Sequence, residues 1–126
     1  MFFFELIVIL RLIMGRSKTT LFTPLQNELA ELAKALGHPA RVAILQYLST
    51  TQSCINGTLV QELGLAQSTI SQHLRELKEL GLICGTIEGA AVNYCLDTER
   101  WKAVQGLFQG FLTQLADSKT TTLCCD

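Results

Sequence analysis

The sequence predicts a mainly α-helical domain that carries one small β-hairpin. Apolar residues recur at helical spacing through most of residues 24–116. The period changes to that of strands only between residues 82 and 96. The chain has 126 residues, of which 48% are hydrophobic and 17% charged. This length and composition suit one compact domain with a single core.

The first helix is predicted from Pro24 to Leu36. Thr23 can cap it, proline suits the first helical position, and Gln26 completes a capping box. Its apolar face consists of Leu25, Leu29, Leu32 and Leu36. Gly37 ends it.

Two further helices follow. The second begins at His38-Pro39 and is followed by a polar loop over residues 49–53. Its predicted apolar stripe is Val42, Leu45 and Leu48. A short third helix is predicted from Thr58 to Leu63, because Thr58 and Gln61 again have capping-box spacing.

The fourth helix is predicted from Gln67 to Leu80 and is stopped by Gly81. Its core-facing residues are Ile70, Leu74 and Leu77. Only Gly64-Leu65-Ala66 separates it from the third helix. Such a short, glycine-containing turn is typical of a helix-turn-helix and leaves the fourth helix free to enter a DNA major groove.

A hairpin and a last helix complete the domain. The predicted strands are Leu82–Glu88 and Ala91–Leu96, joined at Gly89-Ala90. Counting outward from that turn places Cys84 opposite Cys95 on the more exposed face. The last helix spans Thr98 to Ala116. Its apolar positions are Trp101, Val104, Phe108, Phe111 and Leu115. We expect this much aromatic surface to be buried in a homodimer. The overall prediction is therefore a homodimeric winged helix-turn-helix.

The fourth helix carries the residues that indicate DNA binding. The predicted contacts are Gln67, Ser68, Thr69, Ser71, Gln72, His73, Arg75 and Lys78. Amides and hydroxyls can bond to base edges, and cations to phosphates. The alternative is a solvated surface helix, whose exposed face more often carries Glu and Lys. Because the net charge is −1, binding depends on these local contacts and not on overall charge.

Three segments resemble the ArsR/SmtB family of winged-helix metal- and metalloid-responsive transcriptional repressors, arsenic-responsive type. They are residues 36–45, 62–74 and 77–83, followed by Asn93-Tyr94. The resemblance covers about residues 25–115. It implies a homodimer, joined by its first and last helices, that leaves its double-stranded operator when an inducer binds. We do not expect an enzyme, because the sequence shows no acid/base constellation, no phosphate-binding loop and no cysteine–histidine pair with an orienting group.

Two departures from the family concern DNA affinity. Ala66 stands where the family often has a serine cap, which removes about 1 kcal/mol of helix stabilisation. The wing tip, residues 88–91, contains neither Arg nor Lys. We therefore expect the fourth helix to supply most of the affinity.

Thiols are the predicted inducer ligands. Zinc-type members place histidine and aspartate on the last helix, which has no histidine here. The cysteine box that arsenic-responsive members often carry is replaced by residues 55–58. Because trivalent arsenic prefers thiolates, the predicted site for arsenite, or for Sb(III), is Cys54, Cys124 and Cys125. No cofactor is expected for folding.

Several alternatives stay open. The tail cysteines and Cys54 can be inert, and Cys84 and Cys95 can be ordinary strand residues. Alternatively, Cys84 and Cys95 form a redox switch, which would make the protein a thiol-redox or persulfide-responsive repressor. A thiol-rich metalloid-binding protein without DNA binding is the third alternative, favoured weakly by the alanine cap and uncharged wing.

The ends of the chain are predicted to lie outside the fold. Residues 1–14 are too short to span a bilayer, are interrupted by Glu5 and Arg11, and lack signal-peptide features. We expect an N-terminal extension at 1–20, with Met14 as the working start, a domain at 21–116 and a cysteine-bearing tail at 117–126. A membrane-associating helix at 1–14 is the alternative. The odd count of five cysteines favours reduced thiols and a cytoplasmic protein without stable membrane association.

Overall fold

The computed structural model describes residues 20–51, 55–56, 59–85 and 93–119. In chain order its elements are α1 (Pro24–Leu36), α2 (Pro39–Thr50), β1 (Ile55–Asn56), α3 (Leu59–Leu63), α4 (Gln67–Glu79), β2 (Ile83–Gly85), β3 (Asn93–Leu96) and α5 (Thr98–Ala116). The strands form an antiparallel sheet in the order β1-β3-β2. In the part of the chain that is described, no helix is long and apolar enough to cross a membrane.

Helix α1 has the predicted bounds and the predicted N-terminal cap. The Gln26 amide donates to Thr23 Oγ1 at 3.1 Å, and the Thr23 amide donates to Gln26 Oε1 at 3.0 Å. This reciprocal pair satisfies two backbone donors that a helix start leaves unbonded. Of the predicted leucine face, Leu32 is buried and Leu25 is exposed.

The core that supports the later helices is apolar. Its buried members from α2 onward are Ile44, Leu45, Leu48, Leu59, Ile70, Leu74, Leu77, Leu82, Ile83, Tyr94 and Val104. The predicted stripe of α2 is wrong at Val42, which is exposed, whereas Ile44 is fully buried. The two positions differ by about 200° around a helix, so burial of Ile44 turns Val42 toward solvent. Helix α2 also continues to Thr50, two residues into the predicted loop.

Helix α4 ends in a Schellman motif that also fixes the start of β2. The Leu82 amide donates to the Leu77 carbonyl at 3.0 Å, and the Gly81 amide to the Lys78 carbonyl at 2.9 Å. This geometry needs a left-handed residue, and Gly81 has φ +73°. Because Leu82 completes the cap, the strand begins at Ile83 and not at Leu82 as predicted.

The predicted hairpin register is confirmed, with Ile83 opposite Leu96 and Cys84 opposite Cys95. The predicted extensions and turn at residues 86–92 lie outside the described residues. The sequence did not predict β1, whose Ile55 and Asn56 pair with Tyr94 and Asn93. Two residues are too short for a recognisable strand pattern.

Helix α5 is tied at its start to the end of α4. Asp97 caps it by accepting from the Arg100 amide at 3.0 Å. Trp101 Nε1 donates to the Leu82 carbonyl at 2.8 Å, and Arg100 Nε to the Leu80 carbonyl at 3.2 Å. Of the predicted apolar positions, Val104 is buried, and Trp101 and Phe108 are partly buried. Phe111 and Leu115 are exposed, at 40% and 56%, as is Leu112.

Candidate nucleic-acid interface

The α3–turn–α4 unit has the predicted helix-turn-helix layout. Helix α3 closes at Gly64, whose φ is +66° and whose amide donates to the Val60 carbonyl at 3.0 Å. Helix α4 then begins at Gln67. Its N-cap, Ala66, makes no side-chain cap hydrogen bond, as the alanine at this position predicts. The described bounds of α3 start at Leu59, and the predicted cap residue Thr58 lies outside the described residues.

Helix α4 has one buried and one exposed face along its length of about 20 Å. Its buried side chains are Ile70, His73, Leu74 and Leu77. The exposed predicted contacts are Gln67, Ser68, Thr69, Gln72, Arg75 and Lys78, with Ser71 partly exposed. Gln67, Ser71, Arg75 and Lys78 recur at spacings of four and three residues, which aligns them along one face. Their side chains therefore form one polar stripe.

Two contacts organise this stripe. Gln67 Nε2 donates to Ser71 Oγ at 3.3 Å, which links an amide to a hydroxyl one turn away. Lys78 Nζ donates to the carbonyl of Gly85 and so connects the end of α4 to β2. Near the same end, burial raises the pKa of the Tyr94 phenol, and the positive charge of Arg75 partly opposes that shift. Cationic side chains are thus placed where α4 meets the sheet.

The prediction that His73 contacts DNA is wrong for this structure. His73 is only 9% exposed and its ring centroid lies 4.4 Å from that of His38. The position follows Ile70 by three residues and precedes Leu77 by four, which is core spacing. Burial, and then the charges of His38 and Arg41, lower the pKa of His73 below 6.5. Its Nδ1 is buried without a hydrogen-bond partner.

A second pair, absent from the sequence analysis, holds α2 against α4. Arg41 forms an ion pair with Glu76. The Arg41 side chain is 14% exposed and that of Glu76 is 40% exposed. Arg41 Nη2 also donates to the Lys34 carbonyl at 3.3 Å, whereas its Nε is buried without a partner. His38 and Arg41, three residues apart on one helix start, thus contact His73 and Glu76, three residues apart on α4.

These contacts position the polar stripe and change its charge. His38 is itself anchored, since its Nδ1 accepts from the Ala40 amide at 3.1 Å as the N-cap of α2. Arg41 neutralises the carboxylate of Glu76, which would otherwise repel phosphate. The His-Pro-Ala-Arg segment at residues 38–41 is therefore part of the support for α4.

The cysteines are placed only in part. The predicted inducer ligands Cys54, Cys124 and Cys125 lie outside the described residues. Cys84 is an exposed free thiol that donates to the Cys95 carbonyl, with 3.5 Å between sulfur and oxygen. Cys95 is disulfide-bonded, which differs from the prediction of reduced thiols. Within the described ranges, no three His, Cys, Asp or Glu residues are grouped to hold a metal ion.

Comparisons with known proteins agree with this layout. A family model described as "Bacterial regulatory protein, arsR family" matches residues 38–84. The HTH-type transcriptional regulator CmtR of Mycobacterium bovis is 39% identical over 85 residues, which cover 67% of this chain and 71% of that protein. The crystal structure of Mycobacterium tuberculosis Rv0081 is 28% identical with a TM-score of 0.55, covering 76% of this chain and 97% of that one.

A further solved structure is also similar to this chain in sequence. The NMR structure described as "the cadmium metal-sensor CMTR from Mycobacterium tuberculosis" is 36% identical, with a TM-score of 0.46, and covers 78% of this chain and 96% of that one. The extent of the CmtR match is enough to assign the family. This chain therefore belongs to the ArsR family of bacterial regulatory proteins, and is a winged helix-turn-helix transcriptional regulator and not an enzyme.

Proposed function

We propose that this regulator is a homodimeric repressor that binds operator DNA through α4 and leaves it when a thiophilic inducer binds. The polar stripe of α4 carries the proposal. The exposed predicted contacts of α4 carry amides, hydroxyls and two cations, and the buried face of the helix is fixed by Ile70, Leu74 and Leu77. A helix held in this way can enter a major groove with its side chains already ordered.

The stripe divides into two kinds of contact. Gln67 and Ser71 of the stripe, and the exposed Gln72 beside it, have the hydrogen-bonding groups that distinguish base edges. Arg75 and Lys78 have the charge that binds phosphate at any sequence. Because the wing tip carries no cation, we expect α4 to supply most of the DNA affinity.

Operator titrations by fluorescence anisotropy test this division. Ser71→Ala and Gln72→Ala should each weaken specific binding by about 1–3 kcal/mol, because each removes a base contact. Arg75→Ala should weaken binding to all sequences alike and reduce the salt dependence by about one phosphate contact for each subunit of the dimer. Gln46→Ala, at an exposed position of α2, is the matched control. Unchanged operator affinity in all three α4 variants would refute the docking of α4.

Homodimerisation is proposed from exposed apolar surface. Phe111, Leu112 and Leu115 at the end of α5 are 40%, 57% and 56% exposed, and Leu21, Phe22 and Leu25 near α1 are also exposed. Soluble monomers rarely leave such clusters open. We place the dimer interface on these two segments, within a domain of residues 21–116. A stable monomer at micromolar concentration in sedimentation equilibrium would contradict it.

The proposed inducer is trivalent arsenic, or antimony, bound by Cys54, Cys124 and Cys125. Soft centres prefer thiolate sulfur to nitrogen or oxygen. The tail from Asp117 to Cys125 can span up to about 30 Å, which is long enough to fold back over a small domain. Cys54 lies in the chain close to α3, so a ligand there is near the DNA-binding unit. Cadmium is the second candidate, because the related CmtR is described as a cadmium sensor.

Single Cys54→Ser, Cys124→Ser and Cys125→Ser variants test the site under reducing conditions. Each should still bind the operator but no longer release it with arsenite. A coupling of about 1–3 kcal/mol corresponds to a 5- to 150-fold loss of affinity in the unmodified protein. Cys84→Ser is the control and should respond fully. A normal response in the Cys124→Ser, Cys125→Ser double variant would reject this site, and parallel titrations with cadmium would decide between the two ions.

The same titration tests the remaining alternative, a metalloid-binding protein without DNA binding. Inducer binding with no operator binding at any salt concentration would favour that function. The ordered stripe on α4 supports the repressor instead.

A further inference from the structure

The buried face of the DNA-binding helix carries a histidine that lies against a second histidine. His73, at the middle of α4, is only 9% exposed, and its ring centroid lies 4.4 Å from that of His38. His38 is exposed, and the Ala40 amide donates to its Nδ1 at the start of α2. These are the two histidines of the chain. Their contact joins α2 to the centre of α4.

The hydrogen bonding around His73 favours its neutral form. Its Nδ1 is buried without a hydrogen-bond partner. Because an imidazolium donates from both ring nitrogens, protonation would leave a buried N–H without an acceptor, which is unfavourable. The carboxylate of Glu76, three residues along α4, is already paired with Arg41. A proton on His73 therefore finds no ready acceptor at Nδ1.

The charges around His73 act in the same direction. Burial, and then the charges of His38 and Arg41 on α2, lower its pKa below 6.5. On α3 the acidic residue Glu62 is exposed, and on β2 the titratable side chain is Cys84. Neither shifts the pKa of His73. A proton on His73 is thus opposed from α2 and is not offset from α3 or β2.

The position of His73 couples its charge to the DNA-contacting side chains. It lies between Ile70 and Leu77 on the buried face, and Ser71 and Gln72 directly precede it in the chain. Since side chains keep fixed directions around a helix, water reaches the His73 ring when α4 moves away from α2. The same movement displaces Ser71 and Gln72.

We propose that His38 and His73 are a positioning pair that holds α4 in its DNA-binding orientation only while His73 is neutral. Protonation of His73 displaces α4 from α2 and lowers operator affinity, and operator binding releases the proton again. This rests on the proposed docking of α4 and adds the proton as a second signal for the regulator. The sign is opposite to that of a histidine that contacts phosphate, whose protonation would strengthen binding.

Operator affinity measured against pH tests the pair. The probe is a fluorescent duplex that the wild-type protein selects from random DNA at pH 7.5, and EDTA is present so that no metal replaces the proton. An NMR titration of the untagged free protein gives the pH at which half of His73 is protonated. Both His73 side chains are then neutral in about one quarter of dimers, so the dissociation constant should rise about fourfold at that pH.

Three variants separate the titration of His73 from its packing. His73→Leu has no titrating group at this position and should lose no affinity between pH 7.5 and 5.5. His73→Gln, which is polar and neutral at both pH values, should behave alike and controls for the packing of leucine. His38→Asn keeps a side-chain oxygen for the N-cap but removes the ring that faces His73. It should move the half-protonation pH of His73, and the loss of affinity with it, toward 6.5.

Hydrogen–deuterium exchange of the free protein measures the displacement of α4 directly. After correction for the intrinsic pH dependence of exchange, α4 of the wild type should lose protection relative to α5 between pH 7.5 and 5.5. In His73→Leu it should not. Circular dichroism of the wild type should show unchanged helix content over this range.

An affinity that stays constant or increases as pH falls would overturn the proposal. So would the same loss of affinity in both His73 variants, or a loss of helix content that parallels the loss of affinity. The exchange measurement uses no DNA. Absence of operator binding at pH 7.5 would therefore reject the repressor function, and the protection of α4 would still decide whether His73 positions the helix.

Discussion

Replacing Glu76 with glutamine removes the charged partner of a largely buried arginine. The Arg41 guanidinium would keep its hydrogen bond to the Lys34 carbonyl, while its Nε, already without a partner, stays buried. Replacing Arg41 with methionine has a milder consequence, because the Glu76 side chain is 40% exposed and can be hydrated. The two single changes should therefore differ in cost.

The exposures set the expected magnitudes. Breaking a fully buried ion pair costs about 3–5 kcal/mol, and an exposed pair contributes about 0–1 kcal/mol. With exposures of 14% and 40%, we expect Glu76→Gln to lower the free energy of unfolding by about 2 kcal/mol, between these limits. Arg41→Met should cost about 1 kcal/mol, and the double variant about 2 kcal/mol. The double variant should therefore cost about 1 kcal/mol less than the sum of the two single variants, and this difference is the coupling energy.

Urea unfolding of the four proteins, followed by circular dichroism, measures this cycle. Glu99 and Lys102 form an exposed pair on α5, with side-chain exposures of 83% and 71%, and serve as the control. The same cycle there should give a coupling below about 0.5 kcal/mol. Additive effects at Arg41 and Glu76, or a larger cost for Arg41→Met than for Glu76→Gln, would refute the reasoning.

Four further changes to the chain each test a single feature. The folded state lowers the pKa of His73 below 6.5. The stability contributed by neutral His73 is therefore fully present above pH 6.5 and is lost as pH falls through the lowered pKa. Between pH 7.5 and 5.5, the free energy of unfolding in urea should fall more in the wild type than in His73→Leu, and equal losses would contradict this. Gly81→Ala, at φ +73° with only Arg100 side-chain atoms near the new Cβ, should destabilise by about 1 kcal/mol. Gly106→Ala within α5, where the new Cβ has no atom within 4 Å, should stabilise by about 0.5–1 kcal/mol in the same assay. A Gly81→Ala protein more stable than the Gly106→Ala protein would contradict the expected effect of backbone conformation. A chain starting at Met14 should bind the operator with unchanged affinity in an anisotropy titration, and a weakened complex would show that residues 1–13 take part.

The elements predicted most accurately from sequence are those whose ends depend on neighbouring residues. The bounds of α1 follow from Thr23, Gln26 and Gly37, and the hydrogen bonds of the capping box are present. The end of α4 was placed within one residue, because a left-handed glycine position is a local requirement. The hairpin register was also predictable, since counting from the turn fixes the pairs.

The features missed depend on contacts between distant segments. The pairing of β1 with β3 joins residues about forty positions apart and leaves no periodic pattern. His73 was assigned to DNA because a polar side chain on a polar helix is expected to face solvent. Its position relative to Ile70 and Leu77 was the available signal, whereas the tilted contact of its ring with that of His38 could not be predicted from sequence.

The charge distribution of α4 leads to one more prediction, about salt. The chain has a net charge of −1, and Glu76 is neutralised by Arg41, so Arg75 and Lys78 are the cations of the stripe. Two phosphate contacts from each subunit of a dimer give a slope of about −4 for log K against log salt, at about −0.9 per contact. Anisotropy titrations of the operator from low to moderate KCl measure this slope. A slope steeper than about −7 would require phosphate contacts beyond α4, and would contradict the proposal that this helix supplies most of the affinity.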